Sequence, residues 1–173
     1  MKKICAFVGH RNTKISQKLK DDVLEQVIKL VFEQDVERFV FARSGNFDNM
    51  CFEIVTNLQK YFSFIKIIDL SSSTLRVGDV DDEILRALIT FDTQSTYNVK
   101  SKKIIDVLNN VSIFELYKKM IDLSSWVVFY FDLNSLGYLA NKKVPSSNEK
   151  SETFLAYRYA LQNAKNIINL CKK

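Results

Sequence analysis

The sequence predicts an α/β fold, a single domain built on a mostly parallel sheet with helices on both faces. Three observations carry that expectation. Short apolar runs alternate with longer segments of helical periodicity, in the order strand, helix, strand, helix, strand. The connections between them are brief. Finally, 173 residues suit one domain, and such a chain buries enough surface for a core without staples.

The first element is the apolar run Ile4-Cys5-Ala6-Phe7-Val8, stopped by Gly9 and followed by His10, the sole histidine. A continuous apolar run halted by a turn residue reads as a buried strand. A helix is expected from Ile15 to Gln34, because Leu19, Val23, Leu24, Val27, Ile28, Val31 and Phe32 fall on one face. Ser16 is its natural N-cap. The second strand is Glu37 to Ala42, the second helix Asp48 to Tyr61, and the third strand Ile65 to Leu70. Residues 71–110 read as a loop-rich excursion within the same domain, with a short helix from Asp81 to Ile89. A helix over Ile113 to Leu123 then leads into Trp126-Val127-Val128-Phe129-Tyr130-Phe131, the most apolar strand, expected at the centre of the sheet. A polar connection from Asp132 to Glu149, a helix from Glu152 to Asn163 and a strand from Asn166 to Leu170 complete the pattern.

Composition narrows the function classes. The net charge of +5 is mild, and the lysines are scattered in short pairs such as Lys102-Lys103, Lys118-Lys119 and Lys142-Lys143. Without a basic run or an aromatic platform, nucleic acid is a poor expectation. Cys5, Cys51 and Cys171 form no CxxC pair and no Cys/His cluster, so free thiols are expected and no metal site. No stretch reaches the roughly 18 apolar residues of a membrane span. Met1-Lys2-Lys3 precedes too short an apolar run for a signal peptide. A cytoplasmic protein without a membrane partner is the expectation.

Three polar clusters follow predicted strands. Gly9-His10-Arg11-Asn12 offers donors suited to phosphate or a base edge. Arg43-Ser44-Gly45-Asn46-Phe47-Asp48 combines a fixed positive charge, a tight loop at Gly45 and a helix start near Asp48. Helix starts attract anions, and Asp48 is also a natural N-cap. Ser151-Glu152-Thr153 opens a helix, where Ser151 and Thr153 either cap it or bond a phosphate. Arg11 and Arg43 suit bidentate phosphate contacts. Phe47 and Tyr130 are placed to stack on a base, with core packing the alternative for Phe47. In a parallel sheet, all three clusters gather at one edge. Neither a Walker A loop nor GxGxxG is present. His10 could serve as a base, but no orienting partner is evident, so a ligand contact is the expectation and no catalytic residue is assigned.

In order along the chain, Cys5-Ala6-Phe7-Val8-Gly9-His10-Arg11, Ser44-Gly45-Asn46-Phe47-Asp48, Met120-Ile121-Asp122, Ser151-Glu152-Thr153-Phe154-Leu155-Ala156-Tyr157 and Ile167-Ile168-Asn169-Leu170 resemble the SLOG superfamily, which includes LOG- and DprA-like proteins. More closely, they resemble its small "GHR" branch of YpsA-like proteins. The resemblance implies a Rossmann-like domain whose strand ends bind a nucleotide-derived small molecule. Relatives include phosphoribohydrolases, DNA-processing proteins and sensors of cyclic or linear ADP-ribose signals in phage defence. The branch has a glycine pair ahead of Gly45, where this chain has Ala42-Arg43-Ser44. It has Arg-Asn where Leu116-Tyr117 stand, and glycine where Glu152 stands. The glycine-rich PGGxGTxxE loop of the phosphoribohydrolases is absent.

The sequence therefore leads to a non-catalytic sensor or sequestering protein for a phosphate-containing, ADP-ribose-type or cyclic nucleotide signal, in phage defence or counter-defence, without a cofactor. The alternative is an enzyme cleaving the N-glycosidic bond of a nucleotide. A homo-oligomer, dimer or higher, is expected from the aromatics Phe62, Phe64, Phe91, Phe114 and Tyr117.

Overall fold

The computed structural model describes residues 3–70, 112–132 and 151–171. Nine elements follow in order: β1 (Lys3–Gly9), α1 (Gln17–Gln34), β2 (Val36–Phe41), α2 (Asn46–Gln59), β3 (Lys66–Asp69), α3 (Ile113–Leu123), β4 (Trp126–Tyr130), α4 (Glu152–Gln162) and β5 (Asn166–Asn169). The excursion over 71–110, its helix from Asp81 to Ile89, Phe91 and nearly all of the connection from Asp132 to Glu149 lie outside the described residues.

The strands form one five-stranded sheet in the order β3-β2-β1-β4-β5, and every pairing is parallel. This is the α/β, Rossmann-like arrangement that the alternating pattern predicts. The middle strand is β1, not the more apolar β4. The chain winds outward from β1 through β2 to β3, then returns to place β4 on the other side of β1. The winding direction thus reverses between β1 and β4, the kind of point at which open α/β sheets place their ligand crevices.

Alternation along β1 explains the layering. Ile4, Ala6 and Val8 face α3 and α4, packing with Tyr117, Met120, Ile121, Ala156 and Phe129. Cys5 and Phe7 face α1 and α2, packing with Val23, Val27, Leu30, Cys51 and Val55. A strand covered on both faces needs apolar residues at every position, hence the unbroken run. Phe7 lies parallel to Phe41, with ring centroids 5.2 Å apart, and also stacks on Phe39 at 6.0 Å.

The helix boundaries follow their caps. Ser16 accepts the Leu19 N–H at 3.1 Å, as its position before the apolar stripe predicts. At the other end Asp35 adopts a left-handed conformation (φ 55°) and closes α1 through its own N–H to Leu30 O. Ser112 and Ser151 cap α3 and α4 in the same way as Ser16. The second helix begins at Asn46 rather than Asp48, with Gly45 at the N-cap position. All three cysteines are free, Cys5 and Cys51 fully buried. Among the described residues no helix is long and apolar enough to cross a membrane.

Replacing Phe7 with alanine removes a ring that is fully buried against two others. Chemical denaturation is expected to show a loss of about 3–5 kcal/mol, the usual range for a buried aromatic.

Candidate functional site

The loops after β1 and β2 meet backbone to backbone. The Asn46 N–H donates to Arg11 O at 2.8 Å. A Cβ on Gly45 would lie 2.5 Å from Arg11 Cα, and one on Gly9 would lie 2.5 Å from the Phe47 ring. Both glycines are therefore needed for close approach. The tight-turn role expected of Gly45 falls elsewhere: neither glycine has positive φ, and the left-handed residue is Arg43 (φ 52°). That conformation is one that glycine takes without strain, and Arg43 stands where the resemblance implies a glycine.

The third cluster joins from α4. Thr153 is only 4% exposed, and its hydroxyl donates to Gly9 O at 3.1 Å. The loops after β1 and β2 and the start of α4 thus converge on the carboxyl end of β1, beside the winding reversal between β1 and β4. Asn169 fixes the neighbouring strand end. Its Oδ1 accepts the Phe131 N–H at 3.1 Å, and its Nδ2 donates to Phe131 O at 2.8 Å. The His10 ring lies 5.5 Å from Phe131, between centroids.

The individual roles differ from the sequence expectation at several positions. Phe47 has no exposed surface. It stacks on Tyr130 at 5.6 Å and supports Gly9 from beneath, so core packing is its role. Tyr130 is half-buried above it. Arg43 turns away from the β1 loop: its guanidinium pairs with Asp69 at 3.3 Å, bonds Asn49 at 3.3 Å and lies 4.4 Å over the Phe52 ring. Ser151 caps α4 by accepting the Phe154 N–H. Asp48 is not an N-cap but sits in the first turn of α2. Exposed at the edge remain Arg11, Asn12 and Asn46, with His10 and Ser44 half-buried.

Asp48 is the unusual group. It is 1% exposed; its Oδ2 accepts the Ser44 N–H at 3.2 Å and the Ser44 hydroxyl at 2.9 Å. Its Oδ1 has no hydrogen-bond partner among the described residues. Burial pushes its pKa up to about 7, against the opposing effect of the Ser44 bonds. Ser44 Oγ also bonds the hydroxyl of Tyr117, a residue of α3. Tyr117 is itself buried, and its pKa is raised by burial, then by the charges of Asp48 and Glu152, with Arg11 acting oppositely. Tyr117 is thus not available to an oligomer face. His10 moves the other way: burial lowers its pKa, partly opposed by Asp132, so the ring is neutral at pH 7.

Sequence reasoning left Tyr117 and Glu152 outside the site. The one signal that pointed to them was that each departs from the residue implied by the resemblance. No family model matches the chain, and no curated protein matches it in sequence. Among the described residues no cluster of His, Cys, Asp and Glu could hold a metal ion.

Two outcomes follow from this geometry. Gly45→Ala forces the β2 loop off Arg11 and should lower stability by about 1–3 kcal/mol in urea denaturation, as overpacking does. For Asp48, the folded state holds its proton up to about pH 7, whereas an unfolded aspartate releases it near 3.8. Its contribution to stability is thus full below about pH 4 and lost as pH rises toward 7. Thermal melts of Asp48→Asn across this window should show a flatter pH dependence than wild type.

Proposed function

We propose that this protein binds a nucleotide-derived small molecule at the carboxyl edge of its sheet and acts as a sensor or sequestering protein. The ligand is phosphate-containing, of the ADP-ribose or cyclic nucleotide type, and the setting is phage defence or counter-defence. The observation that carries this reading is the convergence of the polar loops on the β1 end, held by the Asn46–Arg11 and Thr153–Gly9 hydrogen bonds beside the winding reversal. Arg11 is the arginine that serves the phosphate, since Arg43 is engaged by Asp69. Neutral His10 both donates and accepts, which suits a base edge or a ribose hydroxyl better than a phosphate. Tyr130 rather than Phe47 offers an aromatic face.

A second reading has its own support. Asp48 and Glu152 both influence the Tyr117 hydroxyl, which gathers carboxylates as an N-glycosidic hydrolase would require. That reading predicts release of free base from a nucleoside monophosphate, and chromatography showing intact nucleotide after prolonged incubation removes it.

Self-association also belongs to the proposal. Leu24, Ile28 and Phe32 repeat every four residues on the outer side of α1 and remain exposed, and Phe32 packs edge-on against Phe62 at 5.4 Å.

Thermal unfolding with AMP, ADP-ribose and cyclic nucleotides tests the binding reading. A ligand at one hundred times its dissociation constant stabilises by about 2.7 kcal/mol, and Arg11→Ala should abolish most of the shift. Melts unmoved by every one of these compounds would discard it.

A further inference from the structure

We propose that ligand binding at this edge takes up a proton, and that the Tyr117–Ser44–Asp48 hydrogen-bond chain is the device that accepts it. The inference rests on the binding reading above and adds a regulation to the same site.

The chain has a direction. With Asp48 ionised, the Ser44 hydroxyl donates to Oδ2 at 2.9 Å, so its oxygen accepts from the Tyr117 hydroxyl. All donors then point toward Asp48. A proton added to Asp48 has two places to go. On Oδ1 it would be a buried donor with no acceptor, which is costly. On Oδ2 it donates to Ser44 Oγ, whose own hydrogen swings to Tyr117 Oη. The Tyr117 hydrogen is then freed from Ser44, on a hydroxyl that feels the charges of Asp48, Glu152 and Arg11. One proton from solvent therefore reverses the whole chain and turns Tyr117 from a donor to Ser44 into an acceptor from it.

An anion docking at this edge favours the reversed state. Its charge opposes ionisation of Asp48, whose hydrogen-bond partner Ser44 is half-buried in the loop that forms the edge. The groups facing Asp48 are Cys51 one turn along α2, Ser44 from the β2 loop and Tyr117 from α3, with Cys5 on β1 beyond Cys51. Both thiols are buried with their pKa values raised, so they stay neutral near pH 7. Arg11 and Glu152 reach the cluster through Tyr117 and hold charges of opposite sign. Asp48 is therefore the member of the cluster whose charge changes near neutrality, being drawn to about pH 7 by burial. His10 titrates below its ordinary 6.5, so among the described groups of this edge Asp48 is the one left to change charge just above pH 7.

Titration calorimetry of the full chain, in paired buffers of different ionisation heat, measures the protons taken up per ligand. ADP-ribose and 3′,5′-cyclic AMP are suitable probes because their phosphates do not titrate near pH 7. Expected is a fractional uptake near pH 7, up to about half a proton, with affinity weaker at pH 8 than at pH 7. Asp48→Asn should bind with uptake near zero and no such affinity change. Tyr117→Phe, which keeps the ring packing, should cut the uptake by about half or more, because the reversed chain loses its last acceptor. Binding without proton uptake in wild type overturns this inference alone, as does uptake undiminished in both variants. Failure of both probes to bind at all overturns it together with the binding reading.

Discussion

The hydrogen bond from the Asn46 N–H to Arg11 O sets the geometry of the whole strand-end edge. It joins the loop after the middle strand to the first turn of α2, and it is possible only because Gly45 presents no side chain to the Arg11 backbone. Gly9 extends the same logic by one layer, admitting the Phe47 ring where any Cβ would collide. The two loops are thus assembled as one surface by close backbone approach. Thr153 then ties α4 to that surface through Gly9 O, from a sequence distance of 144 residues. A parallel sheet brings these segments to one edge; the two glycines bring them into contact.

That contact determines where charge is allowed. The first turn of α2 places Asp48 in a spot that a helix dipole favours, yet the surrounding core of Phe47, Met50 and Cys51 withholds water from it. Desolvation outweighs the Ser44 hydrogen bonds, and the carboxyl sits near neutrality instead of in the usual acid range. Arg43 does not compensate, since its guanidinium is fixed by Asp69 and Phe52. The left-handed backbone at Arg43 helps carry the side chain there, at a cost that its ion pair and ring contact offset. The edge is consequently less cationic than a count of its arginines suggests.

Most of the fold was legible because each element's pattern was local. The apolar run of β1 and the Ser16 cap reappear, and the boundaries of α3 coincide with those expected from sequence; of the apolar face expected on α1, Leu19, Val23, Val27 and Val31 are buried, whereas Leu24, Ile28 and Phe32 stay exposed because no described element packs over that side. The order of the strands was less so: β4 is richer in large apolar residues, but centrality depends on which side the chain takes after β3, and no local pattern encodes that. In the site, loop membership was readable and orientation was not. Arg43 and Asp48 sit where expected along the chain, but their partners Asp69, Ser44 and Tyr117 are chosen by packing. Tyr117 in particular is expected from sequence at an oligomer face; packing instead buries it in the core, where its hydroxyl joins the candidate site through Ser44.

The burial of Asp48 bears on whether the site binds or cleaves. A general acid needs to reach the atom it protonates within about 3 Å, and a carboxyl that is 1% exposed cannot approach a ligand without movement of α2 or of the β2 loop. Those two segments are pinned by the Gly45–Arg11 approach, the Asn46 hydrogen bond and the Phe47 packing, so such movement would dismantle the edge itself. Glu152 is exposed in the first turn of α4, but Asp48 cannot join it at a glycosidic bond from its buried place. Under the proposal above, Asp48 acts at a distance, through Ser44 and Tyr117, by changing the direction of a hydrogen bond instead of delivering a proton to substrate. In the proposed binding role, a group arranged in that way would tune affinity rather than catalyse cleavage.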